Sequence, residues 1–408
     1  MRKILVSAYA CEPYKGSEQS VGWNIVLQLA QYNDVHVITR ANNQGVIERF
    51  LTEWKQLHLT FHYYDTSKFC LSLKNKEKGV YVYYILWQIG VIHLIKKIVK
   101  EYHFDYSYHV TFGSVWLPSF LFIFYPRFIW GPLGGGEAIP DSFIKTLSYK
   151  GRLLQYFRKL LKITVYLNPI LYLSACKADA LLCRTQNTIN IFPRRFRAKC
   201  YLLTDGAIES NILNYKCNYI ERKKIKLIAT SRLIHTKNVC TIIKAMQYIP
   251  DMYDFELTIV GSGPEENNIK KLVHTLNIQS KVTFLKFVPR EEIFRLLSES
   301  DIYLFASLKE ACNLSLLEAM AIGLPVICLN WSGMAISTDE TCAIRLPVTN
   351  PEQMPKDMSQ AVIKLLKDPI LRKKMGEAGR KRVKEMFNWN SKGEFMEKLF
   401  NELEHEVK

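Results

Sequence analysis

Short apolar runs alternate with stretches of helical periodicity along the whole chain. Lys3 to Ala10, Val35 to Thr39, Leu59 to Tyr64, Tyr106 to Thr111, Phe128 to Gly131 and Ala180 to Cys183 read as strands, with helical patterns between most of them. The second half repeats the theme, with Ile225 to Thr230, Glu256 to Val260, Lys281 to Leu285, Asp301 to Ala306 and Val326 to Leu329 each leading into a helix or loop. Strands joined by helical crossovers make parallel sheets, so the pattern predicts an α/β protein of two doubly wound domains. The break falls at Thr204-Asp205-Gly206-Ala207, where a strand ends in a glycine turn and a polar stretch follows.

Composition agrees with two packed domains: 408 residues, 48% of them hydrophobic and 23% charged. The net charge of +17 adds something the pattern does not, a call for an anionic partner. The excess is local. Between Ser142 and Thr204 the only acid is Asp179, and within that stretch Leu153, Leu154, Phe157, Leu160 and Leu161 recur at helical spacing beside Arg152, Arg158, Lys159 and Lys162. Such a basic amphipathic helix suits an anionic lipid surface, and equally a solvated face packed on its own domain. No segment is expected to span a bilayer: Val80 to Ile95 contains Gln88, Gly90 and His93 and ends in Lys96-Lys97, and Val115 to Trp130 carries Pro118, Pro126 and Arg127. Both read as buried or interfacial elements. Sequence signatures of nucleic-acid readout are missing, so nucleic acid is not an expected partner. Ten cysteines without a C-x-x-C pair point to reduced thiols and no metal site, and an opening apolar run too short for a signal peptide points to the cytoplasm.

In open parallel sheets ligands bind beyond the carboxyl ends of the strands. The loop Ser307 to Cys312 carries Glu310, and Asn313 is placed to cap the helix Leu314 to Ile322, which carries Glu318 and closes at Gly323. Amides at that helix start suit a phosphate, and two carboxylates suit sugar hydroxyls. The loop after Ile225 to Thr230 brings Arg232 and Lys237, two permanent cations fit to grip a diphosphate. Gly261-Ser262-Gly263-Pro264 is a fragment of a dinucleotide fingerprint and by itself no more than a turn.

Thr230 to Ala245, Thr258 to Pro264, Val282 to Pro289 and Ala306 to Gly333 resemble, in order and spacing, the carboxyl-terminal domain of retaining GT-B glycosyltransferases of family four. Ser7 to Pro13, Gly16-Ser17-Glu18, Val21 to Asn24 and Phe128 to Glu137 are similar to a polysaccharide-biosynthesis branch of that family. The resemblance implies the GT-B fold, two Rossmann-like domains facing each other across a cleft. Residues 1–205 would receive the acceptor, 206–387 the nucleotide sugar, and 388–408 would form a helix returning to the first domain. Arg232 and Lys237 would hold the donor diphosphate, Glu318 the ribose, Glu310 the transferred sugar, and the backbone at Asn313, Leu314 and Ser315 the phosphates. Gly16 would approach the donor closely, Phe287, Val288 and Pro289 would line the base pocket, and His109 would stand in the active site. Glu137 would contact donor or acceptor, or cap a helix.

The implied reaction is transfer of a sugar from a nucleoside diphosphate, with a uridine nucleotide expected, to an acceptor hydroxyl with retained configuration and no metal. The setting would be capsule, exopolysaccharide or lipopolysaccharide synthesis, with a lipid-linked acceptor glycan at the inner membrane face. A sugar-nucleotide epimerase and a silent membrane-associated binding protein are the alternatives. The chain departs from the family pattern at Ser231, Ala311-Cys312-Asn313, Asp205-Gly206-Ala207 and Ser332-Gly333-Met334-Ala335, and no departure removes a charged group.

Overall fold

In the computed structural model the chain forms two compact units, one of residues 1–136, 160–205 and 389–408, the other of residues 137–159 and 206–388. The structure describes residues 1–16, 18–53, 57–67, 70–71, 79–124, 127–164, 168–220 and 222–405, for 162–164 the backbone alone. Of the residues singled out in the sequence, Ser17, Pro126 and the Lys162 side chain lie outside that description.

The first unit is built on parallel strands β1 (Lys3–Ser7), β2 (Asp34–Arg40), β3 (Leu59–Tyr64), β4 (Tyr106–His109), β5 (Arg127–Leu133), β6 (Ala178–Cys183) and β7 (Cys200–Leu202), ordered β3-β2-β1-β4-β5-β6-β7. β1 lies inside the sheet, Ile4 opposite Val35 on one side and Tyr106 on the other. Its side chains alternate between two covered faces, as a strand's period of two requires. Ile4 and Val6 join Ile25, Val26 and Leu29 of the helix Glu18–Ala30, whereas Leu5 joins Tyr83, Tyr84 and Trp87 of the helix Val80–Glu101. The last helix, Trp389–His405, packs Met396, Leu399, Phe400 and Leu403 on the first of these faces. Arg2 bonds Glu397 at 2.8 Å and Glu404 at 2.6 Å to hold it there.

The helix Val80–Glu101 corrects one expectation. At 22 residues it is long and apolar enough to cross a membrane by length and composition. One of its faces lies in the core of the unit, and Tyr81, Val82, Ile85 and Ile89 are exposed on its other side.

The second unit carries parallel strands β8 (Ile225–Thr230), β9 (Phe255–Val260), β10 (Val282–Leu285), β11 (Ile302–Phe305), β12 (Val326–Leu329) and β13 (Ala343–Leu346), ordered β10-β9-β8-β11-β12-β13. β13, not expected from the sequence, is a four-residue edge strand interrupted by Arg345, too short and too mixed to show a pattern. Residues 137–159 belong with this unit and not with 1–136, because Ile139, Phe143, Ile144 and Leu147 are buried in its core. Chain order alone had placed them in the first domain. In each sheet the connections reverse direction once, between β1 and β4 and between β8 and β11, and loops diverging at such a point leave a crevice open to a ligand.

Candidate functional site

At the β8/β11 switch the second unit holds a cavity of about 390 Å³, a size that suits a nucleotide-sized ligand. Its lining comes from four strand ends: Thr230, the last residue of β8, with Ser231, Arg232 and Lys237 beyond it, Val260, the last of β9, with Gly261 and Ser262, then Lys286, Phe287 and Val288 after β10, and Ser315 and Glu318 on the helix Leu314–Ile322 beyond β11. The loops are locked together by backbone. Ser231 N–H donates to the Val260 carbonyl at 3.0 Å, Leu233 N–H to Ser262 at 2.8 Å, and Gly261 N–H to Leu285 at 2.8 Å. Gly261 has φ +149°, and a Cβ there would lie 1.9 Å from the Ser231 carbonyl oxygen. The glycine turn that looked like a fingerprint fragment therefore lets the β9 loop lie against the cation-bearing loop.

Lys237 forms an ion pair and hydrogen bond with Glu310 Oε1, which also accepts from Ser307 Oγ at 2.7 Å. The Glu310 carbonyl accepts from Ser332 Oγ at 2.5 Å and from Gly333 N–H at 3.0 Å, so side chain and backbone of this residue are both fixed. Lys237 and Glu310 side chains are only 18% and 9% exposed. Lys237 is thus no surface cation whose loss would leave the fold untouched; without it a buried carboxylate stands unmatched. Glu318 accepts from Arg290 at 3.0 Å. Burial raises its carboxyl above the ordinary range, and Arg290 pulls it back down.

Of the expected site residues, Arg232, Lys237, Val288, Ser315 and Glu318 line the cavity, as does Phe287, while Glu310 stands behind Lys237. Pro289 caps the next helix, Arg290–Ser298, and is not among the lining residues. Asn313 holds the N-cap position, but its side chain does not cap. Its Oδ1 accepts instead from Ser337 Oγ at 3.1 Å, leaving the first helix turn uncapped by that side chain. The Leu314 side chain is exposed and does not line the cavity. Lys286 in the cavity wall and Arg290 as the partner of Glu318 were missed: each is an ordinary polar residue in its local sequence, and only the fold brings it to this crevice.

Gly16 and His109 belong to the first unit. Gly16 has no neighbour within 4 Å of a would-be Cβ, so nothing described around it demands glycine. Gly22 does demand it, with a Cβ only 2.1 Å from the Ala10 carbonyl oxygen. His109 ends β4 and is 1% exposed, with Nε2 3.3 Å from the Tyr84 hydroxyl. Burial pushes its pKa down to about 4, the backbone of Thr111 opposing, so the imidazole is neutral at pH 7. Glu137 is buried in the second unit. The first unit has its own cavity at its switch point, about 230 Å³, lined by Glu18, Tyr81, Phe112, Gly113, Ser114, Leu117 and Arg184. Glu18 Oε1 accepts from Phe112 N–H at 2.6 Å, and Arg184 pairs with Asp205 at 2.9 Å. Burial raises the Glu18 carboxyl, against the pull of Arg184.

Two parallel, doubly wound units are the components of the GT-B fold. Residues 216–382 match the model of the family described as Glycosyl transferases group 1. An N-acetyl-alpha-D-glucosaminyl L-malate synthase of Bacillus anthracis is 36% identical over 172 residues, which are 41% of this chain and 42% of that protein. The chain thus matches less than half the length of that curated relative. Among solved structures, sucrose-phosphate synthase from Thermosynechococcus elongatus superposes with a TM-score of 0.64 at 19% identity, over 99% of both chains. Anabaena HepE, crystallised with UDP and glucose, superposes with a TM-score of 0.57 at 14% identity, over 98% of this chain and 100% of that one. At these identities the superpositions speak to fold alone.

Two outcomes follow from the geometry. Lys237→Ala should lower unfolding stability in urea by roughly 1–3 kcal/mol, because it strands the Glu310 carboxylate, and adding Glu310→Gln should recover much of that loss. Equal stability of all three proteins would show the pair to be idle. For His109, the unfolded chain binds a proton below about pH 6.5 that the folded chain refuses until its pKa of about 4. Stability therefore falls as pH drops through that window, and His109→Gln should reduce the fall by roughly 2–3 kcal/mol. Parallel pH profiles for the two proteins would contradict the buried, neutral histidine.

Proposed function

We propose that the chain is a glycosyltransferase that moves a sugar from a nucleoside diphosphate sugar, most simply a uridine one, to an acceptor hydroxyl with retained anomeric configuration, in synthesis of a cell-surface polysaccharide. The observation that carries the reading is the make-up of the β8/β11 cavity. Arg232 and Lys237 stand at one strand end, the Glu318 carboxylate on the neighbouring helix, and the apolar Phe287, Val288 and Ile293 also line the wall. A nucleoside diphosphate has matching parts: an anionic diphosphate, a ribose diol and a flat base. Phe287, 88% exposed, is free to lie against the base.

As the sugar leaves, charge builds on the departing diphosphate, and the Arg232 fork, the Lys237 ammonium and the uncapped first turn of Leu314–Ile322 meet it there. Lys237 has three donors, so it can hold Glu310 and a phosphate oxygen together. Both side-chain bonds described for the Glu310 carboxylate fall on Oε1, which leaves Oε2 as the oxygen to receive a sugar hydroxyl. These cations take the part a divalent ion plays elsewhere. The first-unit cavity, with Glu18 and Arg184 beside Tyr81 and Phe112, has the carboxylate, guanidinium and aromatic surfaces that suit an acceptor sugar. Retention, and a place in capsule, exopolysaccharide or lipopolysaccharide synthesis, rest on the family resemblance.

The test begins with a thermal-shift screen of nucleotide sugars, since a ligand that binds only the folded chain raises its melting temperature. The donor found should then be consumed in the presence of chelator when an acceptor is supplied, with no new sugar nucleotide formed from donor alone. Arg232 is exposed, so Arg232→Ala should leave stability within about 0.5 kcal/mol of the parent while cutting turnover about 100-fold or more. Unchanged turnover in that variant would sink the assignment, and epimerised donor without acceptor would point to the other enzyme class.

A further inference from the structure

The basic helix of the sequence forms over Tyr149–Thr164, and it is packed inside out. The side chain it buries among residues 151–161 is Gln155, 7% exposed, while Leu153, Leu154, Phe157 and Leu160 are between 48% and 61% exposed. A helix folded onto its own domain for stability would turn the leucines inward and the glutamine out. Here the apolar side chains share one face, at positions 153, 157 and 160, and the cations Lys150 and Arg158 rise exposed beside them. The helix carries five cations and no acid. Tyr149 and Tyr156, both exposed, add amphipathic rings of the kind that sit at a membrane–water boundary.

We propose that this face docks onto an anionic lipid surface, making the protein peripheral to a membrane through the helix Tyr149–Thr164. The proposal is independent of the transfer reading. Charge decides the occupant. A second copy of the chain meeting this face through a twofold axis would bring Lys150 and Arg158 against the same two cations, which costs rather than stabilises. Anionic headgroups neutralise Lys150 and Arg158 while acyl chains take Leu153, Phe157 and Leu160, and the long basic side chains snorkel toward the headgroups as the apolar ones sink. The other exposed apolar face, Tyr81, Val82, Ile85 and Ile89, has no Lys or Arg nearer in its helix than Lys96, so charge does not single it out. Two of the helix's cations are committed within the fold: Lys159 pairs with Asp141 at 2.6 Å, and Arg152 Nε donates to the Leu147 carbonyl at 3.1 Å. Lys150 and Arg158 are therefore the ones to reverse.

The full chain is mixed with sedimenting vesicles of phosphatidylcholine alone, or of phosphatidylcholine with phosphatidylglycerol. Binding should require phosphatidylglycerol and weaken as salt rises from about 0.1 M to about 1 M, where the screening length falls from ~10 to ~3 Å. Two variants separate the forces: Lys150→Glu with Arg158→Glu removes the charge, and Leu153→Ser with Phe157→Ser and Leu160→Ser removes the apolar face. All these residues are exposed, so both variants should melt as the parent does, and each should lower the partition coefficient about tenfold or more. Equal binding to neutral vesicles, or an undiminished partition coefficient in either variant, would overturn the proposal. So would sedimentation equilibrium showing a parent dimer that the leucine variant makes monomeric while vesicle binding stays the same.

Discussion

The pairing of Lys237 with Glu310 is the interaction on which the second unit's crevice depends. At the β8/β11 switch the two connecting loops leave in opposite directions, which opens the crevice but takes away the packing that would otherwise fix their tips. The ion pair joins those tips, and the rest is arranged around it: Ser307 bonds the same carboxylate, Ser332 and Gly333 hold the Glu310 backbone, and Leu308 N–H reaches back to the Thr236 carbonyl at 2.8 Å. A carboxylate this buried is tolerated because a cation meets it, and the cation in turn lines the cavity.

Much of this was legible in the sequence. The inner strands are apolar on both faces because helices cover both sides of a parallel sheet, so they stood out as continuous runs. Arg232, Lys237, Glu310 and Glu318 were visible because permanent charges follow apolar strands there, and the helix Leu314–Ile322 was bounded by Asn313 and Gly323 as written. What stayed hidden depends on long-range packing. The edge strand Ala343–Leu346 is too short to show a period, and residues 137–159 sit with the later unit through four apolar side chains that chain order cannot assign. Asn313 is a good cap by type, yet Ser337, distant in sequence, draws its side chain away.

The same limit applies to the basic helix and to His109. Its periodicity announced an amphipathic helix, but periodicity is blind to which face turns inward, and only the fold shows the leucines outside and Gln155 within. His109 was found at its strand end by position. That its ring is buried beside Tyr84 and held neutral is a property of the packed unit, and it bears on any proton-transfer role given to that residue.

We propose that the β8/β11 crevice holds a nucleoside diphosphate by dividing it between cations and the Glu318 carboxylate. Calorimetric titration of the intact chain with UDP and with uridine tests this most directly. Arg232→Ala should weaken UDP binding about tenfold or more, an interaction of about 1.5–3 kcal/mol for a charged hydrogen bond, and leave uridine unaffected. Glu318→Gln should weaken both ligands alike, since both carry the ribose. UDP binding that is indifferent to Arg232, or a Glu318 effect confined to the diphosphate, would contradict the account.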